Sequence, residues 1–344
     1  MASLSSLFFL ISILISSFHA QKGLILPIHK DPKTSQFYTT IQMGSNRATI
    51  RAVIDLGSQF LWFTCNDYTS NTYAPIPCGS AKCDLAKGSG CVGCNQPQRP
   101  SCTNDTCGLY GYNPFQDFLF SCMDNDYARG LASGAKGLLG LARTQISLHK
   151  QVAGKLKLAD KFSICFPSSG LGKLSIGFID VKSIRVNGVP LSVKNSYFTI
   201  DKNGVGGTKI STIQNYTCLH NSIYKPFTRA FVKAAADMKI KSVAARCFSS
   251  ESISKTPAGL FMRAIDLVLP GNDVYWRIEG ANSMVEVDRK TMCLGFVDAG
   301  KSPRTSIVIG VRQLEENFLE FDLVSNQLKF SSSLSVQKKS CSRL

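Results

Sequence analysis

The two halves of the chain carry the same pattern, and this internal repeat limits the possible fold more than any other feature. In the first half, a β-rich run ends at Asp55-Leu56-Gly57, and a later apolar strand closes at Gly140. In the second half, Lys209-Ile210-Ser211-Thr212 precedes an apolar strand that closes at Gly310. Each half thus places a short polar residue in a turn and follows it with a strand ending in Gly. We predict two similar lobes that face each other across a cleft.

Short alternating runs rich in β-branched and aromatic residues predict strands. They lie at 37–41, 48–54, 60–63, 117–122, 137–141, 162–166, 184–193, 208–213, 265–269, 306–309 and 318–330. Within 184–193, Asn187-Gly188 predicts a type I′ hairpin turn. One long helix is predicted, with Asn221 or Ser222 as N-cap, because apolar residues then recur three and four positions apart, at Ile223, Phe227, Phe231, Ala234 and Met238. The class is mostly β.

Residues 1–20 are apolar and Ser-rich, without a charged side chain, and end in small residues near Ala20. This composition predicts a cleaved secretory signal. The alternative, a membrane anchor, is disfavoured because the apolar core is shorter than the ~20 residues that a span needs. The remaining length suits about two domains. We predict an N-terminal lobe over 21–160 and a C-terminal lobe over 161–344, in a secreted protein without stable membrane insertion.

Thirteen cysteines in a secreted chain indicate disulfides. Eight lie in a loop-like segment with few apolar runs, where disulfides are expected to replace a core: Cys65, Cys78, Cys83, Cys91, Cys94, Cys102, Cys107 and Cys122. The others are Cys165, Cys218, Cys247, Cys293 and Cys341. The odd count leaves one thiol free, and we predict Cys218. The Cys91-Val92-Gly93-Cys94 spacing also fits a zinc or redox site, but export and Gly-, Pro- and Asn-rich neighbours favour a stapled loop, so neither metal nor cofactor is predicted.

The formal net charge is +16. A basic secreted protein is attracted to polyanions, such as acidic polysaccharide, or to acidic proteins, although the charge could serve solubility alone. Nucleic acid is not a predicted partner, because Lys and Arg are scattered rather than gathered on one helix or arm. The sequons Asn104-Asp105-Thr106 and Asn215-Tyr216-Thr217 predict glycosylation at Asn104 and Asn215.

Together these motifs resemble the pepsin-like aspartic proteases. The resemblance is closer to a plant branch of extracellular dermal glycoproteins, basic 7S globulins and inhibitors of xylanases and xyloglucan-specific endoglucanases. It covers almost the whole chain after the signal, and it rests on the loop cysteines and on Val53-Ile54-Asp55-Leu56-Gly57, Leu61-Trp62, 102–108, 131–134, 206–212 and 306–310. It implies a bilobal, mostly β pepsin-like fold. Chain order and the resemblance also imply the pairs Cys165–Cys341 and Cys247–Cys293.

In the active proteases of this family, each lobe supplies Asp-Thr/Ser-Gly, and the two facing carboxylates share one proton. One Asp activates water while the other protonates the carbonyl oxygen. Here Leu56 replaces the hydroxyl residue and Ser211 replaces the second acid. A serine hydroxyl cannot share a proton as a carboxylate does. We therefore interpret Asp55 as a vestigial acid that accepts hydrogen bonds from turn amides, and we predict no competent catalytic residue.

Two other routes to hydrolysis would use different residues. Asp201 or Asp266 could replace the second acid, but neither matches the turn position, and small displacements are costly in catalysis. A Ser-His-Asp triad on Ser211 lacks a nucleophile elbow, and His29, His149 and His220 fit no recognised arrangement. If one of these routes operated, the protein would be an active aspartic endopeptidase or another hydrolase, and the endopeptidase is the alternative function.

Relative to the family pattern, the chain is short in two places, after Asn113-Pro114 and near Phe178-Ile179. The first would normally hold the flap hairpin that covers a bound peptide, so its loss would remove a cover that excludes water. Missing strands are also expected to expose sheet edges.

The resemblance implies a catalytically inactive protein of the cell wall or apoplast that binds and inhibits glycoside hydrolases. A basic side chain could enter an acidic carbohydrate cleft, where two carboxylates lie. The candidate loop is 298–305, with Lys301 and Arg304, although an ordinary solvated turn is equally compatible with its composition. A further alternative is a basic 7S-type storage or peptide-binding globulin.

Overall fold

A computed structural model describes residues 24–87, 90–95, 97, 102–113, 118–168, 171–173, 180–256, 259–325 and 327–343. The predicted signal at 1–20 lies outside these ranges. The strands of the first half are β1 (Pro27–Lys30), β2 (Phe37–Met43), β3 (Ala48–Asp55), β4 (Trp62–Thr64), β5 (Ala74–Pro77), β6 (Cys91–Val92), β7 (Thr106–Asn113), β8 (Phe118–Met123), β9 (Gly137–Gly140), β10 (Lys161–Cys165) and β11 (Leu171–Lys173).

The second half contains β12 (Ser183–Val186), β13 (Val189–Pro190), β14 (Thr208–Ile210), β15 (Thr217–Leu219), β16 (Ser242–Ala244), β17 (Cys247–Ser249), β18 (Lys255–Thr256), β19 (Gly259–Leu260), β20 (Ile265–Val268), β21 (Tyr275–Ile278), β22 (Met284–Asp288), β23 (Thr291–Leu294), β24 (Phe296–Asp298), β25 (Ile307–Ile309), β26 (Phe318–Asp322) and β27 (Gln327–Phe330). The α-helices are α1 (Ala81–Ala86), α2 (Leu148–Leu156), α3 (Asn221–Asp237), α4 (Gly280–Ser283) and α5 (Val311–Leu314). Short 3-10 turns lie at 125–128, 195–197, 250–252, 334–337 and 341–343.

One large sheet contains both the first strand, β1, and the last strand, β27. Its order is β27-β26-β10-β11-β1-β2-β3-β9-β4-β8-β7-β5, with β6 paired to β7. Strands from both predicted lobes thus share a sheet, and the boundary after residue 160 stays a prediction. The second half adds the sheets β13-β12-β20-β21, β14-β25-β15-β24, β16-β17-β23-β22 and β18-β19.

The predicted internal repeat is confirmed by strand pairing. In the first half, β3 pairs parallel to β9, β9 antiparallel to β4, and β4 parallel to β8. In the second half, β14 pairs parallel to β25, β25 antiparallel to β15, and β15 parallel to β24. These two four-strand units place Asp55 at the end of β3 and Ser211 just after β14.

The glycines that close β9 and β25 are required by close backbone approach. A Cβ at Gly140 would overlap the carbonyl oxygen of Phe60, and one at Gly310 would overlap the backbone of Tyr216. In each half, the segment after the polar turn passes directly over the end of the returning strand. The sequence repeat therefore reflects a shared steric constraint.

Helix α3 packs its apolar face into the core, and Ile223, Phe227, Phe231 and Ala234 are buried as predicted. Its N-cap is His220 rather than Asn221 or Ser222, because the His220 ring nitrogen accepts from the Ser222 amide at 3.0 Å. The sequence did not predict α2, a nine-residue helix that contains a glycine. A glycine inside a helix lowers its intrinsic propensity, and tertiary contacts here override that preference.

The disulfides in the structure are Cys65–Cys122, Cys78–Cys91, Cys83–Cys107, Cys94–Cys102, Cys165–Cys341 and Cys247–Cys293, and Cys218 is free. The two pairs implied by the resemblance are present. Because Cys91 and Cys94 bond to different partners, they do not form a redox pair. The first four disulfides tie the segment between β4 and β8, where one small apolar cluster lies beside the main core.

At the first shortened point, the sheet does not show the expected exposed edge. Strands β7 and β8 are direct antiparallel neighbours, with Asn113 opposite Phe118, and β7 also pairs with β5. Residues 114–117, where the flap hairpin would normally lie, are outside the described ranges, as are 174–179 at the second shortened point.

The Asn187-Gly188 turn joins β12 to β13 with both φ angles positive, as a type I′ turn requires.

Candidate functional site

The first wall of the cleft is the turn that follows β3. Asp55 is half-buried, and each carboxylate oxygen accepts one local hydrogen bond. The Gly57 amide donates to Oδ1 at 2.8 Å, and the Ser58 hydroxyl donates to Oδ2 at 2.6 Å. The Asp55 side chain thus stabilises its own turn through one amide and one hydroxyl, and its interpretation as a vestigial acid stays a prediction.

The facing wall is the turn that follows β14, and its polar residue is Ser211. The Ser211 hydroxyl oxygen accepts from the amides of Ile213 and Gln214, each at 3.3 Å. In both turns a side-chain oxygen accepts from the amide two residues further on, Gly57 in one and Ile213 in the other. They differ in chemistry, because one oxygen belongs to a carboxylate and the other to an alcohol.

A threonine next to Ser211 links the two turns across the cleft floor. The Thr212 hydroxyl is fully buried, donates to the Ile54 carbonyl at 2.5 Å and accepts from the Leu56 amide at 3.3 Å. Leu56, at the matching position of the other turn, has no hydroxyl with which to return this contact. The missing hydroxyl at Leu56 was predictable from the sequence. The role of Thr212 was not predicted, although the repeat aligns Thr212 with Leu56.

Between the walls lies a cavity of about 300 Å³, lined by Asp55, Gly57, Ser58, Lys209, Ile210, Ser211 and Ile213. Asp55 is the single carboxylate among these lining residues. Lys209 adds a positive charge on the side of the cleft where an aspartic protease would carry its second acid. This arrangement lacks the pair of carboxylates that shares a proton in aspartic proteolysis.

Matches to known families agree with this geometry. A model described as the xylanase inhibitor N-terminal domain matches residues 37–117 and 111–178, and one for the xylanase inhibitor C-terminal domain matches 178–332. The chain belongs to the xylanase inhibitor family. The two N-terminal segments overlap at 111–117, next to the point where the sequence predicted a missing flap.

Relatives of this xylanase inhibitor family member include "Probable aspartic proteinase GIP2" of Nicotiana benthamiana, 39% identical, with 93% of this chain and 91% of that protein covered. "Gamma conglutin 1" of Prunus dulcis is 31% identical, with 92% and 88% covered. The crystal structure of EDGP has a TM-score of 0.87 at 34% identity, covering 93% of this chain and 97% of that chain. Basic 7S globulin from soybean has a TM-score of 0.78 at 28% identity, covering 93% and 98%. The pepsin-like bilobal prediction is thus confirmed.

The shortening is also visible in these comparisons. The alignment to the Nicotiana benthamiana relative runs over 399 positions but covers 93% of a 344-residue chain. That relative therefore carries internal segments that this family member lacks. The two-lobed fold nevertheless matches EDGP along nearly its whole length.

Neither alternative acid lies in the cleft. Asp266 is buried on β20, where it forms a bidentate ion pair with Arg277 at 2.7 and 3.0 Å. This hydrogen-bonded pair raises the pKa of Arg277. Asp201 lies in an exposed hairpin and accepts from the amides of Asn203 and Val205. Both carboxylates therefore have structural partners outside the cleft.

A Ser-His-Asp chain that the sequence did not predict lies away from Ser211, at His149. Its Nδ1 lies 2.7 Å from an Asp160 oxygen, and its Nε2 lies 2.7 Å from the Ser147 hydroxyl. Ser147 is fully buried, and its hydroxyl donates to the Thr144 carbonyl at 2.9 Å. A buried hydroxyl that already donates its proton is not an accessible nucleophile, so we interpret this chain as structural. Among the described residues that line the cavity beside Ser211, none is a histidine.

The candidate partner loop is exposed but anchored at its base. Asn221 donates through its amide to the Gly300 carbonyl at 2.8 Å and through its side chain to Asp298 at 2.6 Å. Lys301 and Arg304 are both exposed, and neither forms an ion pair with another described residue. The two cations are thus available to an acidic surface.

The remaining predicted site residues are distributed over the surface. Asn104 and Asn215 are exposed, and the Asn104 side chain accepts from the Cys94 amide at 2.6 Å.

The free thiol of Cys218 is partly buried. Burial raises the pKa of this thiol, and the positive charge of Lys209 only partly opposes the shift. Within the described ranges, three or more metal-ligating side chains do not cluster, and no helix is long and apolar enough to cross a bilayer.

Proposed function

We propose that this protein is a secreted, catalytically inactive member of the xylanase inhibitor family that binds and inhibits a glycoside hydrolase, a xylanase or xyloglucan endoglucanase, in the plant cell wall or apoplast. The observation that carries the proposal is the unpaired carboxylate of the cleft. Asp55 faces Ser211 in a chain that xylanase inhibitor models match from 37 to 332.

The proposed inactivity follows from the number of carboxyl groups in the cleft. Aspartic proteolysis needs one ionised and one protonated carboxyl group, which exchange roles during the reaction. Ser211 cannot take either role, because its hydroxyl is not acidic near neutral pH. Lys209, also in the cleft, would further disfavour transfer of a proton to this wall.

Binding is supported by charge and by rigidity. Glycoside hydrolases carry two catalytic carboxyl groups within about 5–10 Å of each other, which makes their clefts acidic. The exposed cations Lys301 and Arg304 complement such a cleft, and the net charge of +16 would accelerate encounter with it. The same charge supports a second attraction to acidic wall polysaccharide. We also propose cleavage of the signal at 1–20 and glycans on Asn104 and Asn215.

The test is an inhibition assay of the secreted, purified protein against a panel of xylanases and xyloglucan endoglucanases. We expect tight inhibition of at least one enzyme, weakened about tenfold or more by Lys301→Ala/Arg304→Ala. Arg229→Ala is the matched control, since Arg229 is an exposed arginine of α3 in the same half. Absence of both inhibition and complex formation across the panel would remove the proposal.

Two other functions have distinct signatures. An active aspartic endopeptidase would cleave unfolded protein at acid pH and lose that activity in Asp55→Asn. A storage globulin is favoured by the relatives named gamma conglutin and basic 7S globulin. It would be abundant in seed extracts, and no hydrolase would co-purify with it.

A further inference from the structure

The two turns of the cleft differ in the residue that lies two positions after each polar side chain. Gly57 follows Asp55 at this spacing, and Ile213 follows Ser211. The motif Asp-Thr/Ser-Gly of the active proteases has glycine at both positions. Among the described residues, a Cβ placed on Gly57 would meet only the Asp55 carboxylate, at 3.4 Å. One turn therefore leaves space in front of it, whereas the other fills that space with a branched side chain.

The Ile213 side chain reaches across to the first half of the molecule. It packs against the small apolar cluster of Val53, Ala132 and Ala135, and it also lines the cleft cavity. An extended peptide strand needs a path about 5 Å wide beside its neighbours. A peptide that passed both turns would have to displace Ile213 from these contacts. Ile213 thus closes one part of the cleft and leaves the part in front of Gly57 open.

The open part of the cleft carries one charge of each sign. Asp55 lies on the first wall and Lys209 on the second, and the two side chains do not form an ion pair with each other. Lys209 is exposed, and its ammonium group has no ion-pair partner within the described part of the chain. Both charges are therefore available to a ligand.

Hydrogen-bonding capacity is also left over on each wall. The Ser211 hydroxyl oxygen accepts from two amides, but its proton has no acceptor among the residues that the structure describes. Each Asp55 carboxylate oxygen accepts one hydrogen bond, and each can accept a second. The second wall thus offers two donors, the Lys209 ammonium group and the Ser211 hydroxyl. The first wall offers an acceptor.

We propose that the open part of the cleft binds a compact zwitterion, a free α-amino acid, and excludes extended peptides. The ligand carboxylate accepts from Lys209 and Ser211, and the ligand ammonium group donates to Asp55. A zwitterion compensates both charges of the site, whereas a sugar acid compensates only Lys209 and leaves Asp55 without a cation. Ile213 offers an aliphatic contact to the ligand side chain. The inference does not depend on hydrolase inhibition, which is proposed for loop 298–305.

The first arm of the test varies the ligand and uses calorimetric titration of the full secreted chain at about pH 6, where amino acids are zwitterions. L-leucine is the probe, and we expect a dissociation constant of about 1 mM or lower. L-leucinamide lacks the carboxylate and 4-methylpentanoate lacks the ammonium group, so each should bind about tenfold more weakly or worse. Glucuronate, a sugar acid, should show a similar loss. A leucine-rich hexapeptide with both termini blocked should not bind.

The second arm varies the protein. Lys209→Met and Asp55→Asn should each weaken leucine binding by about tenfold or more, whereas Lys209→Arg keeps the charge and should retain most of the affinity. Lys225→Met is the matched control, because Lys225 is an exposed lysine of α3 that does not line the cavity. Ile213→Gly and Ile213→Ala should admit the blocked hexapeptide. Thermal unfolding of each variant verifies that it is folded.

Several results would overturn the inference. They are the absence of leucine binding up to about 10 mM, glucuronate binding as tight as leucine binding, and an equal loss of affinity in Lys225→Met and Lys209→Met. Binding of the blocked hexapeptide to the unsubstituted protein, or its exclusion from both Ile213 variants, would contradict the role of Ile213. The proposed function is measured separately, by hydrolase inhibition, so either proposal can fail while the other stands.

Discussion

The turn at Asp55 and the turn at Ser211 occupy equivalent places in two four-strand units with the same pairing. In both turns a side-chain oxygen accepts from the amide two residues further along the chain. Both units end in a glycine that lies under the crossing backbone. The chemical groups differ, since a carboxylate on one side faces an alcohol on the other. Both units therefore keep the residues that the backbone needs. Only the first unit keeps the acid that proteolysis needs.

A second difference lies two residues before each turn. Val53 on β3 is fully buried against Ala132 and Ala135. The equivalent position on β14 is Lys209, which is exposed. The first unit thus has a covering segment that the second lacks at this position. Lys209 therefore lines the cleft cavity, whereas the covered Val53 does not.

The largest expected effect comes from the closing glycines. Gly140→Ala and Gly310→Ala should each destabilise the protein by about 3 kcal/mol, because the new methyl group meets backbone that cannot move aside as a side chain could. Denaturant unfolding measures the change. Similar losses in both variants would support equivalence of the units, and a tolerated alanine at one site would contradict it.

Gly154→Ala is the control for both glycine variants. Gly154 lies in α2 with open space around its Cβ position. Alanine there should stabilise the protein by about 0.5–1 kcal/mol, because it reduces the entropy of the unfolded chain.

The next effect concerns the hydroxyl that links the turns. Thr212→Val leaves the Ile54 carbonyl and the Leu56 amide without their partner in a buried site, and should cost about 2 kcal/mol. Thr228→Val is the control, since the Thr228 hydroxyl is buried without a partner, and its removal should be neutral or stabilising. Equal costs for the two variants would mean that the Thr212 link contributes no stability of its own.

A smaller, pH-dependent effect tests the segment that covers the first unit. Burial would raise the pKa of Asp31, but hydrogen bonds from Thr34 and Ser133 outweigh it and lower the pKa to about 2. The folded-state pKa lies below the unfolded value of ~3.9. The stabilisation is therefore present above about pH 4 and is lost as the pH falls towards 2.

Thermal unfolding across this range checks the Asp31 prediction. Asp31→Asn should unfold at a lower temperature than the unsubstituted protein at pH 5, and the gap should narrow below about pH 4. Asp126→Asn, which removes an exposed carboxylate paired with Arg129, should change stability far less. A gap between Asp31→Asn and the unsubstituted protein that stays constant to pH 2 would contradict the role of Asp31.

The smallest effect is expected from restoring the second acid. Ser211→Asp places a carboxylate opposite Asp55, and mutual repulsion should raise the pKa of one of them, as NMR titration would detect. We expect no proteolysis, because the lost hydroxyl at Leu56 and the positive charge of Lys209 remain. Ser211→Asn is the uncharged control. Acid-pH cleavage by Ser211→Asp alone would show that a single side chain separates this cleft from an active one.

Several elements were predictable from the sequence, because their local residue pattern agrees with the structure that the fold requires there. The helix at 221–237 presents one apolar face at helical spacing, and the Asn187-Gly188 turn needs two positive φ angles. Helix α2 was not predictable, because its composition is weak and its stability comes from packing on β10. The His220 cap was missed because histidine is not among the preferred N-cap residues.

The amino-acid sequence by itself determined the two-lobed β architecture, the disulfide-rich loop and the replacement of the second acid by Ser211. Each of these features is a repeated residue pattern or a residue type at one position. Only the tertiary structure decided which distant groups meet. It brought Thr212 to Ile54, His149 between Ser147 and Asp160, and the hairpin at Ile200 against Arg304. Such contacts depend on register and crossing backbone between segments far apart in sequence, where no local preference specifies a partner.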